Sequence, residues 1–233
     1  MGTILWDLDG TIADTEGLHF RAWQRVLDDY HVEVDEASFL AGFGRSNRAV
    51  VSEMFGVAPD APIVAEVSAV KEALFRSLLP AADLQLLPGV ADWLAAFRAA
   101  GRQQVISSSG PMANIAAVVA KLDIGDYFVT LMSGANLPHG KPHPAIFLRS
   151  AAATDTPPAA CLVIEDSTHG VAAARRAAIP CVAVGKLATD PSLATLLAQE
   201  PGPACLPLPT LTELDWSAVK RLEEHDHLPP THL

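Results

Sequence analysis

The chain has 233 residues and a formal net charge of −11, from 16 basic and 27 acidic side chains. This charge argues against nucleic acid or an anionic membrane as a partner, because binding to either depends on a basic surface. Half of the residues are apolar, which is enough for a sizeable core, and no apolar run suggests a signal peptide or a membrane span. We therefore expect a soluble, cytoplasmic protein. We also expect a monomer, because the sequence shows no coiled-coil pattern.

The first predicted element is a short strand, Ile4-Leu5-Trp6, followed at once by two acids, Asp7 and Asp9. A turn is predicted at residues 9–11, because Asp-Gly is typical of turns. Buried carboxylates are costly unless they are paired, hydrogen-bonded or bound to a metal. The end of this strand is therefore the first candidate for a functional site.

Residues 16–84 show only helical patterns. Apolar side chains recur at helical spacing in three stretches, 17–30, 47–56 and 64–79. We interpret this block as a small helical domain inserted after the first strand. The remaining α/β core domain is then discontinuous and comprises residues 1–15 and 85–233.

From residue 85 the chain alternates between helical and strand patterns. Helices are predicted within 88–101, 112–122, 145–153 and 171–179, and strands within 103–110, 127–136, 160–170 and 180–186. The strand patterns are continuous apolar runs, which is typical of parallel strands buried on both faces. The alternation predicts an α/β fold with a Rossmann-like, doubly wound parallel sheet. The proline-rich stretch from Pro201 carries no predicted element, and residues 225–233 are expected to be a loose tail.

The three cysteines, Cys161, Cys181 and Cys205, are widely spaced. They form no CxxC pair, and the first two lie in apolar strand patterns. This spacing favours reduced thiols in the core over a zinc site or a disulfide framework.

Polar residues follow several of the predicted strands. They are Asp7 and Asp9, then Ser107 and Ser108, then Glu165, Asp166 and Ser167, then Lys186, with Lys141 in the loop after a further strand. Ligands of open α/β sheets bind outside the carboxyl ends of the strands. We therefore expect these distant segments to converge on one site.

The chemistry of these groups suits phosphoryl transfer. Carboxylate oxygens are the ligands that Mg²⁺ prefers, so Asp7 and Asp166, with Glu165 as a further candidate, form a candidate metal site. A phosphate bound there would be neutralised by Lys141 and hydrogen-bonded by Ser107. Aspartate carboxylates can form aspartyl-phosphates, which makes Asp7 a candidate nucleophile. Its neighbour Asp9 is a candidate general acid and base.

Four segments in order, "DLDGT", "SSS", "GKPHP" and "IEDS", resemble the four motifs of the haloacid dehalogenase superfamily. The resemblance extends from Ile4 to about Lys186, and the inserted helices resemble the cap of its phosphatase and β-phosphoglucomutase branch. An aspartate at position 7 with Asp9 two residues later implies phosphoryl transfer and not dehalogenation, since the dehalogenase members lack this pair and need no metal.

The resemblance also implies a role for each site residue. Asp7 is the nucleophile and Asp9 the acid/base. The implied Mg²⁺ ligands are Asp7, Asp166, the backbone carbonyl of Asp9, and Glu165 either directly or through water. The implied phosphoryl-binding residues are Ser107, Ser108 and Lys141.

The inserted helices contain four candidate substrate residues, His19, Trp23, Arg45 and Lys71. The segment "HFRAW" resembles the start of the β-phosphoglucomutase cap, in which a histidine and a tryptophan face the site. His19 is equally compatible with a helix surface, and Trp23 with a helical core. For Arg45 and Lys71 the alternative is an exposed helix charge, since most such side chains are solvated.

Three functions fit these observations. The first is a Mg²⁺-dependent phosphatase of a small phosphorylated metabolite such as a sugar phosphate, with a cap hinged near residues 14–15 and 84–88. The second is a β-phosphoglucomutase, in which a sugar hydroxyl replaces water as the acceptor. The third is a phospho-aspartate signalling receiver, which would have neither a DxD pair at the first strand nor a helical insertion.

Overall fold

The computed structural model describes residues 2–35, 39 and 45–224. These residues include a six-stranded parallel sheet of order β3-β2-β1-β4-β5-β6. The strands are β1 (Thr3–Trp6), β2 (Gln103–Ser108), β3 (Thr130–Ser133), β4 (Cys161–Glu165), β5 (Cys181–Val184) and β6 (Cys205–Leu208). The α-helices are α1 (Glu16–Asp28), α2 (Asn47–Phe55), α3 (Pro62–Leu78), α4 (Val90–Ala99), α5 (Met112–Leu122), α6 (Ala145–Ala153), α7 (Thr168–Arg176), α8 (Pro191–Gln199) and α9 (Trp216–Glu223).

Helices cover both faces of the sheet, which confirms the predicted doubly wound α/β fold. In β1, Ile4 and Trp6 pack into one apolar cluster with α4, α5 and α9. Leu5, between them, packs into a second cluster with α6, α7 and α8. This alternation follows from the two-residue side-chain period of a strand. Because all six strands are parallel, their carboxyl ends lie at the same edge of the sheet.

The helices α1, α2 and α3 have their own apolar cluster, which includes Trp23, Phe39 and Val67. Local signals in the sequence set the ends of α2. The hydroxyl of Ser46 accepts a hydrogen bond from the amide of Ala49, and Gly56 ends the helix in the left-handed conformation. The base of this helical block also packs against the larger core, through side chains of α1 and α3.

The C-terminal region contains three helices or strands that the sequence patterns did not predict, α8, β6 and α9. Proline lacks the donor that a strand ladder uses, so Pro207 argued against a strand. An edge position tolerates it, and β6 pairs only with β5 within the described sheet. Asp215 caps α9 by accepting a hydrogen bond from the amide of Ala218. The predicted tail, residues 225–233, lies outside the described residues.

The three cysteines are free thiols, with Cys161 and Cys181 buried in neighbouring strands, as the sequence predicted. Within the part of the chain that the structure describes, no helix is both long enough and apolar enough to cross a membrane.

Candidate active site

The carboxyl end of β1 places Asp7 beside a buried lysine. Asp7 follows the last residue of the strand and is almost fully shielded from water. The loop after β3 supplies Lys141, whose Nζ donates to Asp7 Oδ1 and to Glu165 Oε1, the latter at 2.7 Å. Residues from three separate segments thus meet at one edge of the sheet, as predicted.

Three carboxylates surround this point. Asp7, Glu165 and Asp166 each offer a carboxylate oxygen, and these oxygens lie within 4.8 Å of one another. Thr11 donates its hydroxyl hydrogen to Asp166 Oδ1 (3.0 Å). Among the described residues, Lys141 is the cation paired with these acids, so three carboxyl groups share one ammonium group. An all-oxygen donor set of this kind fits a hard divalent metal.

Two glycines allow the backbone to approach these carboxylates. Gly10 has a φ of +86°, which L side chains rarely adopt, and a Cβ atom there would overlap the carboxylate of Asp166. A Cβ atom on Gly170, in α7, would overlap the carboxylate of Glu165. Asp166 therefore lies against the backbone of Gly10 and is bound by Thr11, and Glu165 lies against the backbone of Gly170 and is bound by Lys141.

The crowding of acids changes their protonation. Burial, together with the nearby Glu165 and Asp9, raises the pKa of Asp7 to about 7, although Lys141 opposes this shift. Burial and the nearby carboxylates of Glu165 and Asp7 raise the pKa of Asp166 well above its usual range. A divalent ion would favour the ionised carboxylates, because an opposite charge stabilises the charged form.

Asp9 lies in a different environment from Asp7. Its Oδ1 accepts hydrogen bonds from Thr15 Oγ1 (2.6 Å) and from His19 Nε2 (3.3 Å), and its Oδ2 accepts one from Ser108 Oγ (3.3 Å). Burial alone would raise the pKa of Asp9. The hydrogen bonds from His19 and Thr15 and the charge of Lys71 outweigh burial and lower this pKa to about 2.

The inserted helices place a chain of polar side chains behind Asp9. The Nδ1 atom of His19 lies 2.8 Å from Lys71 Nζ, and Lys71 Nζ donates to Glu72 Oε1 (2.8 Å). Burial and the charge of Lys71 lower the pKa of His19. A neutral His19 with its proton on Nε2 satisfies both contacts, by donating to Asp9 and accepting from Lys71. The ring of Phe75 stacks on His19, with centroids 4.1 Å apart.

A cavity of about 770 Å³ opens next to these groups. Asp9 lines it, together with the four predicted cap residues, His19, Trp23, Arg45 and Lys71. Trp23 is also buried in the helical core, where Lys71 Nζ lies 5.3 Å from its ring centroid. Arg45 Nη1 lies 2.8 Å from a Glu53 oxygen.

The two predicted phosphate-binding serines differ in their contacts. Ser108 contacts Asp9, as described above. Ser107 is fully buried, and its Oγ lies 2.8 Å from Ser150 Oγ on α6. The strand register pairs Trp6 with Ile106, so Ser107 and Asp7 follow at the same level of neighbouring strands. Their phosphate-binding roles stay a prediction.

Lys186 also follows a strand, but the structure does not bring it into the cluster of carboxylates. Its side chain is 84% exposed and its Nζ lies 3.3 Å from a carboxylate oxygen of Glu16. Sequence reasoning missed several residues that shape the site: Thr15, Glu72, Asn114 and Gly170. The one available signal was the position of Glu72 next to Lys71, since buried charges are expected to be paired.

Comparison with known proteins identifies the family. A model of the haloacid dehalogenase-like hydrolases matches residues 1–178. The chain belongs to this family. The matched range includes the inserted helices, which favours an enzyme of the family over a signalling receiver.

This haloacid dehalogenase-like hydrolase is similar to two characterised bacterial enzymes. It is 32% identical to fructose-1-phosphate phosphatase YqaB from Escherichia coli over 187 residues, 78% of this chain and 95% of the relative. It is 30% identical to β-phosphoglucomutase from Bacillus subtilis over 195 residues, 80% of this chain and 84% of the relative. A solved structure of β-phosphoglucomutase from Clostridium difficile has the same fold, with a TM-score of 0.81 and 23% identity over 96% of this chain and 97% of that one.

The family and these relatives make the protein a phosphoryl-transfer enzyme, of the phosphatase or the phosphoglucomutase kind. Its acidic cluster has the donors to hold a divalent metal.

Proposed function

We propose that this enzyme is a Mg²⁺-dependent phosphatase of a small phosphorylated metabolite, such as a sugar phosphate. The observation that carries the proposal is the position of Asp7, which is paired with Lys141 and lies in one cluster with Glu165 and Asp166. A carboxylate next to a lysine and a metal site can attack a phosphate whose charge those groups neutralise. The similarity to a sugar-phosphate phosphatase supports this substrate class.

In the proposed first step, an oxygen of Asp7 attacks phosphorus. The bond from phosphorus to the substrate oxygen breaks, and that oxygen leaves with a proton from Asp9. Lys141 neutralises part of the charge on the phosphoryl oxygens, with Ser107 and Ser108 as hydrogen-bond donors. Asp7, Asp166, the Asp9 carbonyl and Glu165 would hold the ion, which supplies charge neutralisation for the phosphoryl group when it is bound.

In the second step, Asp9 takes a proton from water as the water oxygen attacks phosphorus. The bond between phosphorus and the Asp7 oxygen breaks, which releases inorganic phosphate and restores the Asp7 carboxylate. The lowered pKa of Asp9 keeps its carboxylate ionised at neutral pH, which is the form that this step requires. The first step requires the protonated form, which the negative charge of the bound phosphate would favour by raising the pKa of Asp9 in the substrate complex. Residues 16–84 would act as the cap, hinged near 14–15 and 84–88, and exclude bulk water from the reaction.

A test of this function uses a panel of phosphorylated metabolites with Mg²⁺, with release of inorganic phosphate as the readout. We expect Asp7→Asn to lower kcat by about 10⁴-fold or more, since it removes the nucleophile. Asp9→Asn should lower kcat/KM by about 10²–10⁴-fold. Asp92→Asn, on the exposed face of α4, serves as the matched control and should keep full activity. Wild-type-like turnover by a folded Asp7→Asn variant would refute the proposal.

The second candidate function is β-phosphoglucomutase. The observation in its favour is the direct contact between the cap residue His19 and the acid/base Asp9, with Lys71 behind it. This contact would let a bound sugar, acting through the cap, influence the acid/base. Incubation with β-glucose 1-phosphate and a trace of bisphosphate distinguishes the two functions. Glucose 6-phosphate as the product would identify a mutase, and free phosphate would identify a hydrolase.

A further inference from the structure

The chain of polar side chains that begins at Asp9 passes through the inserted helices and continues to the α/β core. From Asp9 it passes through His19 and Lys71 to Glu72, all in contact distance as described above. The Glu72 carboxylate is buried, and its Oε1 also accepts a hydrogen bond from Asn47 Nδ2 in α2. The other oxygen of Glu72 is therefore the one available for a contact outside the cap.

That oxygen, Glu72 Oε2, accepts a hydrogen bond from a side chain of the α/β core. The Nδ2 of Asn114, in the first turn of α5, donates to Glu72 Oε2. The Oδ1 of Asn114 accepts a hydrogen bond from Arg76 Nη1 (2.7 Å), one turn further along α3. Asn114 is only 4% exposed, although it is a polar residue on a core helix. Both ends of its amide group thus bind side chains of the same cap helix.

The Asn114 amide group fits this contact in one orientation. An amide presents a donor on one side and an acceptor on the other, and here the donor meets a carboxylate and the acceptor meets a guanidinium. Hydrogen bonds to charged groups are stronger than neutral ones, and leaving a buried carboxylate without its donor is costly. A rotation or shift of α3 against α5 would break both bonds together. The contact therefore favours one orientation of the cap on the core.

We propose that Asn114 is a positioning residue that fixes α3 on the core, so that Lys71 and His19 orient the carboxylate of Asp9. This inference rests on the proposed role of Asp9 as the acid/base. Asn114 lies in neither the carboxylate cluster nor the lining of the cavity. Its effect on the reaction is transmitted through Glu72, Lys71 and His19.

The test compares two substrates with different leaving groups. p-Nitrophenyl phosphate has a leaving group that departs without a proton, whereas an alkyl phosphate such as a sugar phosphate needs one. Asn114→Asp keeps the size and the acceptor but places a carboxylate against Glu72. We expect it to lower kcat/KM for the alkyl phosphate by about 10²-fold, the usual cost of a catalytic group displaced by about 1 Å. For p-nitrophenyl phosphate we expect a loss of less than about threefold, which is under 1 kcal/mol.

A second substitution provides the rescue. Glu72→Gln combined with Asn114→Asp exchanges the carboxylate and the amide across the contact, and it should recover at least tenfold of the lost kcat/KM, about 1.4 kcal/mol. Ala116→Asp adds a charge to the exposed face of α5 and is the matched control, with activity unchanged. If Asn114→Asp does not fold, as judged by circular dichroism, Asn114→Leu gives the same comparison without the added charge.

The outcomes separate this inference from the proposed function. Equal losses on the two substrates, or no loss on either, would refute the role of Asn114. If unmodified enzyme turns over no phosphate ester, or if Asp9→Asn shows no dependence on the leaving group, the proposed function itself fails. Selective loss on the alkyl phosphate with rescue by the exchanged pair would support the inference.

Discussion

Two buried lysines, one in the core and one in the inserted helices, lie in opposite electrostatic environments. Lys141 is 6% exposed and Lys71 is 2% exposed. Burial alone would lower the pKa of both. At Lys141 the carboxylates of Asp7 and Glu165 outweigh burial and raise the pKa. At Lys71 burial prevails and lowers the pKa, although Glu72 opposes it. The two lysines differ in the number of carboxylates that each contacts directly, two at Lys141 and one at Lys71, and this difference accounts for the opposite directions of the shifts.

This difference assigns different tasks to the two regions. The core site has more acid than base, so it favours the binding of a cation. In the cap, Lys71 is matched with Glu72 and hydrogen-bonded to His19, so it orients neighbouring groups. The following predictions test this division, in order of decreasing effect.

The largest effect is expected for Lys141→Met. It removes the cation that faces Asp7, so the charge on a bound phosphoryl group loses one of its partners. We expect kcat/KM to fall by about 10²–10³-fold, as for the loss of one donor to a developing oxyanion. Steady-state assays with saturating Mg²⁺ measure this effect. A loss smaller than that of Lys71→Met would overturn the comparison of the two regions.

Gly170→Ala tests the geometry of the core site without removing a charge. The added Cβ would overlap the carboxylate of Glu165, which must then move away from Lys141. We expect kcat/KM to fall by about 10²-fold, because displacement by about 1 Å is enough for such a loss.

The matched control for this variant is Gly17→Ala. Gly17 also lies in a helix, α1, but an added Cβ there meets nothing within 4 Å. Activity should be unchanged, and stability should rise by up to about 1 kcal/mol because alanine is the better helix former. If Gly17→Ala lost as much activity as Gly170→Ala, the loss in Gly170→Ala would not come from displacement of the Glu165 carboxylate.

Lys71→Met should have a smaller effect on turnover than Lys141→Met. His19 loses its hydrogen-bond donor, and Asp9 loses the charge that helps to keep it ionised. We expect kcat/KM to fall by about tenfold, equivalent to about 1.4 kcal/mol. The same assay measures it, and thermal unfolding should show a clear destabilisation because Glu72 loses its buried partner.

The fourth prediction concerns metal and pH. In the metal-free protein the pKa of Asp7 rises from 3.8 to about 7, so the folded state binds more protons than the unfolded state within this range. The resulting stabilisation is present in full below pH 3.8 and is lost as the pH rises towards 7. Mg²⁺ competes with these protons. Its stabilising effect should therefore grow from pH 5 to pH 8.

Thermal unfolding with Mg²⁺ or with EDTA at the two pH values measures this effect. At a concentration of 100 times Kd the stabilisation is about 2.7 kcal/mol. Asp166→Asn is the control and should abolish most of the increment. An equal increment at both pH values would contradict the assignment of the metal site to these carboxylates.

The smallest effect is expected for Lys186→Ala. The sequence places this lysine after a strand, as it does the site residues, but its ammonium group is exposed and pairs with Glu16. Exposed ion pairs contribute little, so the free energy of unfolding should change by less than about 1 kcal/mol. Turnover should be unchanged, and a tenfold loss would indicate that Lys186 does belong to the site.

The sequence was most informative where chemistry depends on neighbouring residues. Asp7, Asp9 and Thr11 lie within five residues of one loop, and Glu165 and Asp166 are adjacent, so their types and spacing are visible in the chain. The α/β alternation was enough to predict that these segments share one edge of a parallel sheet. The edge strand β6 was missed because Pro207 carries a local signal against strands, which the pairing with β5 overrides.

What the sequence by itself determined is the fold class, the convergence of the four motif segments and the identity of the candidate metal ligands. Only the tertiary structure decided that Lys186 faces solvent, and that Glu72 and Asn114 meet across 42 residues of sequence. The physical reason is that strand order and motif spacing are fixed by local patterns and the rules of parallel sheets. Contacts between two helices depend instead on how their surfaces pack, which no local pattern in either helix records.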